Sequence, residues 1–592
     1  MVFIRFVLLF FCNSLLLLEA HVFISPLSKI NHSRVRRQPS STVSTVVQPA
    51  TINSSYQWFN VQVSGVSSPN EDNWIGLFTL ADNETEINAT SHAPVKFQYL
   101  NVDTGYLTSG NAQLDFYAIN MRHDYMFGFF TGGLDSPVLM STSERIVNLN
   151  PNQPLQGHLA LTLEIDKIVL QWVTKNTTDP LVRWGTESRN YQYTKQANNS
   201  KYTVNDMCGS PANDYGWMDP GTIHTVTMDN LSPSTRYYYQ FGSNTWGWSD
   251  EFTFKSPPVT GPDTPVRIIT YGDLGHGVPD NTLQIKKLEQ ASLNTTKNVY
   301  SEINETELIV HIGDLSYAVG FSAQWDEYYN EVEKLAANSP YMVCAGNHEA
   351  DWPNTTSYFQ SKDSGGECNI PYIYRNQMPR VSPVKPWYGF DFGCVHFVIM
   401  NSEDNFTMGT EQYRFLVQHL ASVNRTATPW LVFTGHRPMY VDSTSIEEPY
   451  GMQPIAKLLR NNLEDLLIQY NVSLALWGHH HTYQRTCKVY RSQCTDNGIT
   501  HVIIGMAGRP LLQDFEPNRP SYFEYLDDQH YGYTRLQANS TTLTLQYIRN
   551  DDLQVHDEVV LSTTTMNSGV AKESTSLLVL FIIVLLSVFA LI

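Results

Sequence analysis

Five short motifs, each following an apolar run, carry metal-competent side chains in the pattern of a two-metal site. They are Gly272-Asp273-Leu274-Gly275, Gly313-Asp314-Leu315-Ser316-Tyr317, Gly346-Asn347-His348-Glu349, Gly435-His436-Arg437-Pro438 and Gly478-His479-His480-His481. The runs before them are 266–271, 308–312, 341–345, 430–434 and 474–477. A β-branched run, then Gly, then a metal-competent side chain describes a buried strand that delivers ligands at its C-terminal end. Open α/β sheets place their chemistry at that end. Oxygen and imidazole donors without thiolates suit iron, zinc or manganese rather than a Cys-type structural zinc. The donors also split by charge. Asp273, Tyr317 and one His supply two anions, and a phenolate, whose free pKa is about 10, calls for a highly charged ion such as Fe(III). Asn347 and two His are neutral and suit a divalent ion. An Asp shared between the ions completes a mixed Fe(III)–M(II) centre.

With these motifs the chain resembles the purple acid phosphatases, whose pattern Gly-Asp-x-Gly, Gly-Asp-x-x-Tyr, Gly-Asn-His-Glu, x-x-x-His and Gly-His-x-His it meets from about residue 155 to about 560. The resemblance implies that Asp273, Tyr317 and His481 bind Fe(III), and that Asp314 bridges. Asn347, His436 and His479 would complete a site for Zn, Mn or Fe(II). It implies an acid phosphatase acting on phosphate monoesters, with Asn347, His348 and Arg437 as substrate contacts and His348 and Asp314 as catalytic residues. Two adjacent cations hold phosphate oxygens and acidify a bound water, and an Fe(III)-bound hydroxide persists at acidic pH. His480, between two ligands on an extended segment, is expected to point away. Many plant members carry a His pair shortly after the segment matching His436; here 440–449 holds none. Tyr440, Asp442 and Arg437 are the side chains near enough in sequence to substitute, and each reads equally well as packing or surface.

The first twenty residues read as a secretory signal, with Arg5 ahead of an apolar core and Ala20 as the small residue for cleavage. Fourteen Asn-x-Ser/Thr sequons follow, among them Asn31, Asn83, Asn176, Asn294, Asn405 and Asn539. Without Cys12, six Cys remain, enough for up to three disulfides in an oxidising compartment; Cys487 and Cys494 are spaced to close a short loop, and Cys344 lies on an interior-type strand. At the other end Asn567-Ser568-Gly569, a polar spacer and the apolar stretch 577–592 resemble a GPI-attachment signal, with a tail-type transmembrane helix as the alternative. Together these place the chain in the secretory pathway, extracellular or at the cell surface. Arg34-Val35-Arg36-Arg37 matches a dibasic processing site and matches an exposed basic stretch equally well. A net charge of −19 with no further basic cluster argues against nucleic-acid binding. The oligomeric state is open, with a homodimer among the alternatives.

Stepwise along the chain, 21–50 reads as a flexible or pro segment and 51–152 as a small β-sandwich of short alternating strands. A second β-sandwich at 155–257 resembles a fibronectin type III domain, notably at the corner Leu231–Tyr237, and a Pro-rich linker leads into a catalytic domain at 265–560. The extra first module resembles the larger plant-type subgroup that includes nucleotide pyrophosphatase/phosphodiesterase-like members, an alternative function on the same site. Helices are expected at 282–293, 325–336, 410–422 and 454–469, giving a two-sheet α/β metallophosphoesterase fold. Strand patterns at 498–506, 531–539 and 542–549 are expected to complete its second sheet. Two rivals fit less well. Calcineurin-like protein phosphatases place a ligand His where Gly275 stands, and His276 is expected at the cleft rim. A non-catalytic surface protein would have no use for seven intact ligands.

Overall fold

The computed structural model describes residues 25–563 except 281, 283–289, 381 and 383. The expected signal segment, Asn567–Gly569 and the apolar stretch 577–592 lie outside the described residues. No described helix is long and apolar enough to cross a membrane.

Two sandwiches precede the catalytic domain. In the first, Ser44–Gln48, Tyr56–Ser64 and Ala112–Ile119 form one antiparallel sheet. Lys96–Tyr99, Trp74–Leu80, Asp124–Thr131 and Val138–Thr142 form the other. The period-two rule shows in Tyr56–Ser64, where Phe59, Val61 and Val63 turn inward and their neighbours outward. The second sandwich repeats this strand order: Leu155–Leu161, Ile168–Thr174 and Thr222–Met228 face Tyr193–Gln196, Leu181–Gly185, Arg236–Ser243 and Phe252–Lys255. At its corner the Ser232 amide donates to Tyr237 Oη at 2.9 Å, the tyrosine-corner bond of such folds.

The segment read as flexible is partly a strand. Ser44–Gln48 buries Thr45 and Val47 on alternate positions, so β-branched side chains decide what Ser/Thr composition alone left looking like linker. Upstream, Leu27 and Ile30 are buried with Trp74 and Phe97, and Arg36–Arg37 pairs in parallel with Val138–Leu139 while remaining exposed.

In the catalytic domain two sheets stack over one core that includes Ile268, Val310, Val343, Val432 and Leu476. Tyr341–Cys344, Leu308–Ile312 and Val266–Tyr271 run parallel in the first sheet. Val395–Ile399, Trp430–Gly435, Leu474–Trp477 and Ile499–Ile504 run parallel in the second. The late strands divide between the sheets rather than completing one. Ile499–Ile504 joins the second, whereas Gly532–Ala538 and Thr542–Arg549 extend the first, antiparallel to Val266–Tyr271. Helix Ser322–Ala336 begins three residues before its expected start, and Glu411–Ser422 is capped by the Thr410 hydroxyl, which accepts from the Tyr413 amide. The expected helix 454–469 is interrupted by a wider turn at Arg460–Glu464. Most of the expected helix 282–293 lies outside the described residues; the helix that follows spans Ala291–Ser301. Cys208–Cys368 ties the second sandwich to the catalytic domain, Cys487–Cys494 closes its short loop, and Cys344 and Cys394 are buried free thiols.

Candidate metal centre

The five motifs converge because the parallel strands before them end side by side. Asp273, Asp314 and Asn347 leave neighbouring strands of the first sheet, and His436, His479 and His481 leave neighbouring strands of the second. Turning a ligand inward so soon after a strand requires left-handed backbone: φ is 59° at Asp273, 49° at Asp314, 50° at Tyr317 and 69° at His479. Each such residue costs on the order of 1–3 kcal/mol, which the surrounding structure must offset. Gly346 is required for a different reason, since a Cβ there would stand 2.2 Å from Asp314 Oδ1.

The donor atoms form two sets. In one, Asn347 Oδ1 lies 3.0 Å from His436 Nε2 and 2.9 Å from His479 Nδ1, and Asp314 Oδ2 is 3.4 Å from His436 Nε2. In the other, Tyr317 Oη lies 3.2 Å from Asp273 Oδ1 and 3.0 Å from His481 Nε2. Asp314 belongs to both metal-competent groups, with His436 and His479 and with Asp273 and His481. The far nitrogens of two rings face carbonyls, His436 Nδ1 that of Ile312 at 3.2 Å and His481 Nδ1 that of Pro510 at 3.0 Å. This turns both Nε2 lone pairs inward, as ligating imidazoles require. His436 is pushed up to about 10: burial opposes the shift, and the Asp314 and Asp273 carboxylates drive it. Burial also works against the Asp314 charge, yet His436 and His348 hold its carboxyl well below the usual range. Two anions facing a protonated ring are a place prepared for cations, which would displace that proton on binding.

Supporting groups fix the loops. Glu349 accepts from the Leu315 amide at 2.9 Å and the Gly346 amide at 3.0 Å, tying the Asp314 and Asn347 loops together. His348 sits at the edge of the centre. Its side chain is 10 % exposed, its Nε2 is 3.8 Å from Asp314 Oδ2, and its ring lies 4.6 Å from that of Tyr317. Its Nδ1 is 3.1 Å from the Asp363 carbonyl, which leaves Nε2 on the side of Asp314.

Arg437 is not placed as a substrate contact. It is buried, donates to Glu403 Oε2 at 2.6 Å and to Asp351 Oδ2 at 2.9 Å, and lies over the Phe359 ring. Its Nη1 is 3.1 Å from His479 Nε2, so its place is behind a ligand rather than before a substrate. A buried guanidinium needs carboxylates, and Asp351 and Glu403 claim it. Tyr440 and Asp442 are likewise fully buried; Tyr440 donates to Glu464, and Asp442 accepts from the Glu516 amide at 3.0 Å. Neither substitutes for the missing His pair. His276 is not at the rim but fully buried, with Nδ1 3.1 Å from the Ser316 carbonyl. His480 points away, towards Thr482 Oγ1 at 2.7 Å and Asp514 Oδ1 at 3.1 Å.

One residue escaped the sequence reading. Arg509 lies over the Tyr317 ring at 4.7 Å, and its amide donates to the Asp273 carbonyl at 3.0 Å. The signal was present: Gly505-Met506-Ala507-Gly508-Arg509 follows the strand Ile499–Ile504, a further strand end rich in Gly.

Comparison with known proteins bears on every domain. Residues 266–483 match the calcineurin-like phosphoesterase family model, and 498–558 match the iron/zinc purple acid phosphatase-like protein C model. Ahead of them, 42–150 match the Fn3-like domain from purple acid phosphatase and 154–256 the purple acid phosphatase N-terminal domain. The Fn3-like description thus falls on the first sandwich, where the sequence reading put that likeness on the second; the two share one strand order. "Probable inactive purple acid phosphatase 27" of Arabidopsis thaliana is 36% identical over 543 residues, covering 85% of this chain and 86% of its own. A barley (Hordeum vulgare) "Nucleotide pyrophosphatase/phosphodiesterase" is 36% identical over 332 residues, covering 53% of this chain and 88% of its own. The structure of a purple acid phosphatase from yellow lupin (Lupinus luteus) seeds superposes with a TM-score of 0.81 at 32% identity, covering 89% of this chain and 98% of the lupin chain.

Proposed function

Because the chain belongs to the purple acid phosphatase family, we propose that it is an active acid phosphatase that hydrolyses phosphate monoesters at a binuclear Fe(III)–M(II) centre. The observation that carries this reading is the pair of donor sets joined by Asp314, one anionic with a phenol, the other neutral apart from the shared carboxylate. Asp273, Tyr317 and His481 would hold Fe(III), Asn347, His436 and His479 the divalent ion. When bound, the ions supply charge for the phosphate oxygens and an acidified water. His348, with Nε2 3.8 Å from Asp314 Oδ2, would meet the phosphate or its leaving group. The Arabidopsis relative bears an "inactive" name; here all seven ligand positions are occupied by competent side chains, which supports a live site.

The decisive experiment is metal analysis with turnover of phosphate monoesters, nucleotides and diesters by the purified protein. Preference for a nucleotide anhydride or diester would favour the second reading, nucleotide pyrophosphatase/phosphodiesterase, which the barley relative supports. Colour gives an independent check. Phenolate-to-Fe(III) charge transfer should produce a visible band, and Tyr317→Phe should bleach it, because Phe lacks the donor oxygen. A colourless wild type carrying stoichiometric iron would remove Tyr317 from the ferric site.

Localisation at the cell surface through a GPI anchor is part of the same proposal. Among the fourteen sequons Asn31 is half-buried and the other Asn residues are exposed, which suits glycan acceptors in the secretory pathway. Phosphatidylinositol-specific phospholipase should release the activity from cells, and truncation after Met566 should secrete it. Activity that resists the lipase yet dissolves in detergent would instead indicate a transmembrane tail.

A further inference from the structure

Helix Ser322–Ala336 follows the Tyr317 loop almost at once, and its first turns are buried against the β modules. Phe321, at its N-cap, packs into the first sandwich with Leu27, Ile30 and Trp74. Gln324, Asp326 and Glu327 are each 3 % exposed or less. Every one of them meets the first sandwich. Gln324 Nε2 donates to the Val95 carbonyl at 3.2 Å. Asp326 pairs with Arg122, and also with Arg375 at 2.9 Å. Glu327 faces Lys96, whose Nζ is 3.6 Å away and 3.2 Å from Asp280. Buried charges need partners, and these pairs tie the start of the helix to the first sandwich.

The loop ahead of the helix needs such a tie. Asp314, Tyr317 and Val319 hold φ values of 49°, 50° and 49°. A β-branched residue there is an outlier, and backbone of this kind persists only when its surroundings over-determine it. His276 supplies the support. Its Nδ1 is 3.1 Å from the Ser316 carbonyl and its Nε2 is 2.9 Å from Gln324 Oε1, all in buried surroundings. Both of these oxygens are acceptors and burial lowers the ring to about 4, so the neutral imidazole donates to one of them and packs against the other; a line of buried contacts therefore runs from the Val95 carbonyl through Gln324 and His276 to the Ser316 carbonyl, one residue before Tyr317.

We propose that the first sandwich is a positioning device for the metal centre: Val95, through Gln324 and His276, fixes the Ser316 carbonyl and hence the direction in which Tyr317 presents its phenol oxygen. This rests on Tyr317 being a metal ligand. Gln324 and His276 are positioning residues and touch neither substrate nor metal.

The test uses the full-length, metal-loaded protein carrying Gln324→Leu, His276→Leu, both, or His276→Gln. Two quantities are read: the maximum of the visible band and the rate at which a chelator removes metal. Each Leu variant should displace the band and release metal roughly tenfold faster, the usual scale for groups that orient ligands. The double variant should do no more than the stronger single one, because both cut the same chain. His276→Gln, which keeps an amide donor for the Ser316 carbonyl, should move back towards wild type. Folded variants with an unchanged band and unchanged release, or additive effects in the double variant, would overturn the proposal. An iron-loaded wild type without a band would sink the Tyr317 reading instead, and the relay would then stand or fall on metal release alone. Should His276→Leu fail to fold, Gln324→Met keeps the side-chain length, removes both the donor to Val95 and the oxygen towards His276, and is read in the same way.

Discussion

Asp314→Asn is expected to cost the protein at least one metal ion and several orders of magnitude in phosphatase rate. The substitution isolates charge from shape. Asn tolerates the left-handed backbone that Asp314 holds at φ 49°, and its side-chain oxygen can still accept from the His348 amide, now at 3.0 Å from Oδ1. What disappears is the one anion common to both donor groups. Two unit charges about 4 Å apart repel by about 4 kcal/mol at an effective dielectric of 20, and a trivalent–divalent pair repels several times more. The other acidic groups of the centre, Asp273 and the Tyr317 phenol, lie on one side, so a divalent ion held by Asn347, His436 and His479 would lose its only carboxylate. Metal content by mass spectrometry and turnover of a phosphate monoester check the outcome together. His480→Ala is the matched control: its ring faces Thr482 and Asp514, so both metals and the rate should remain while thermal stability falls for the lost buried bonds. An Asp314→Asn enzyme with two metals and near-wild-type turnover would show that the donor sets are not the metal site.

The residues that converge on the candidate centre are legible in the sequence because the physics that buries a parallel strand also marks its end. An apolar run with no polar alternation must be covered on both faces, and the residue after its terminal Gly is the first free to turn towards the cleft. The surroundings of Arg437 are not legible for the complementary reason. A sequence shows a charge beside a ligand but not that Asp351 and Glu403, far away in the chain, will close on it. The burial of His276 is not legible from its neighbours: it is covered by Gln324, which itself docks against Val95, a contact between residues 229 positions apart. The late strands were recognised as strands, yet period two says nothing about which sheet edge a strand will find, and Gly532–Ala538 paired with Val266–Tyr271. Ser44–Gln48 was lost to composition: Ser and Thr signal linker, while the same Thr and Val at alternate positions signal a half-buried strand.

Arg437→Met should be among the most destabilising single substitutions in the catalytic domain, although it touches no metal. The side chain keeps its volume against Phe359 and loses the cation that Glu403 Oε2 meets at 2.6 Å and Asp351 Oδ2 at 2.9 Å. Both carboxylates are buried, and removing one side of a buried ion pair costs about 3–5 kcal/mol, because an uncompensated charge remains. The pH dependence gives the sign. Burial and the neighbouring Glu403 already push the Asp351 carboxyl well above its usual range in the intact cluster, against the pull of Arg437. Without Arg437 that rise should grow. A carboxyl whose folded pKa is raised favours folding while protonated, and this contribution is lost as pH climbs from the unfolded value through the folded one. The deficit of the variant should therefore be largest at neutral pH and shrink below about pH 4, where the unfolded carboxyls also protonate. Arg437→Lys should rescue only in part, since one ammonium cannot reproduce the fork that spans Glu403, Asp351 and His479. With His479 unsupported, divalent-metal affinity should also drop roughly 10- to 100-fold. Denaturant unfolding across pH, paired with a metal titration of the folded variant, measures both effects. A Met variant as stable as wild type at neutral pH, with unchanged divalent affinity, would mean that the Arg437 cluster neither holds this corner of the fold nor sets the position of His479.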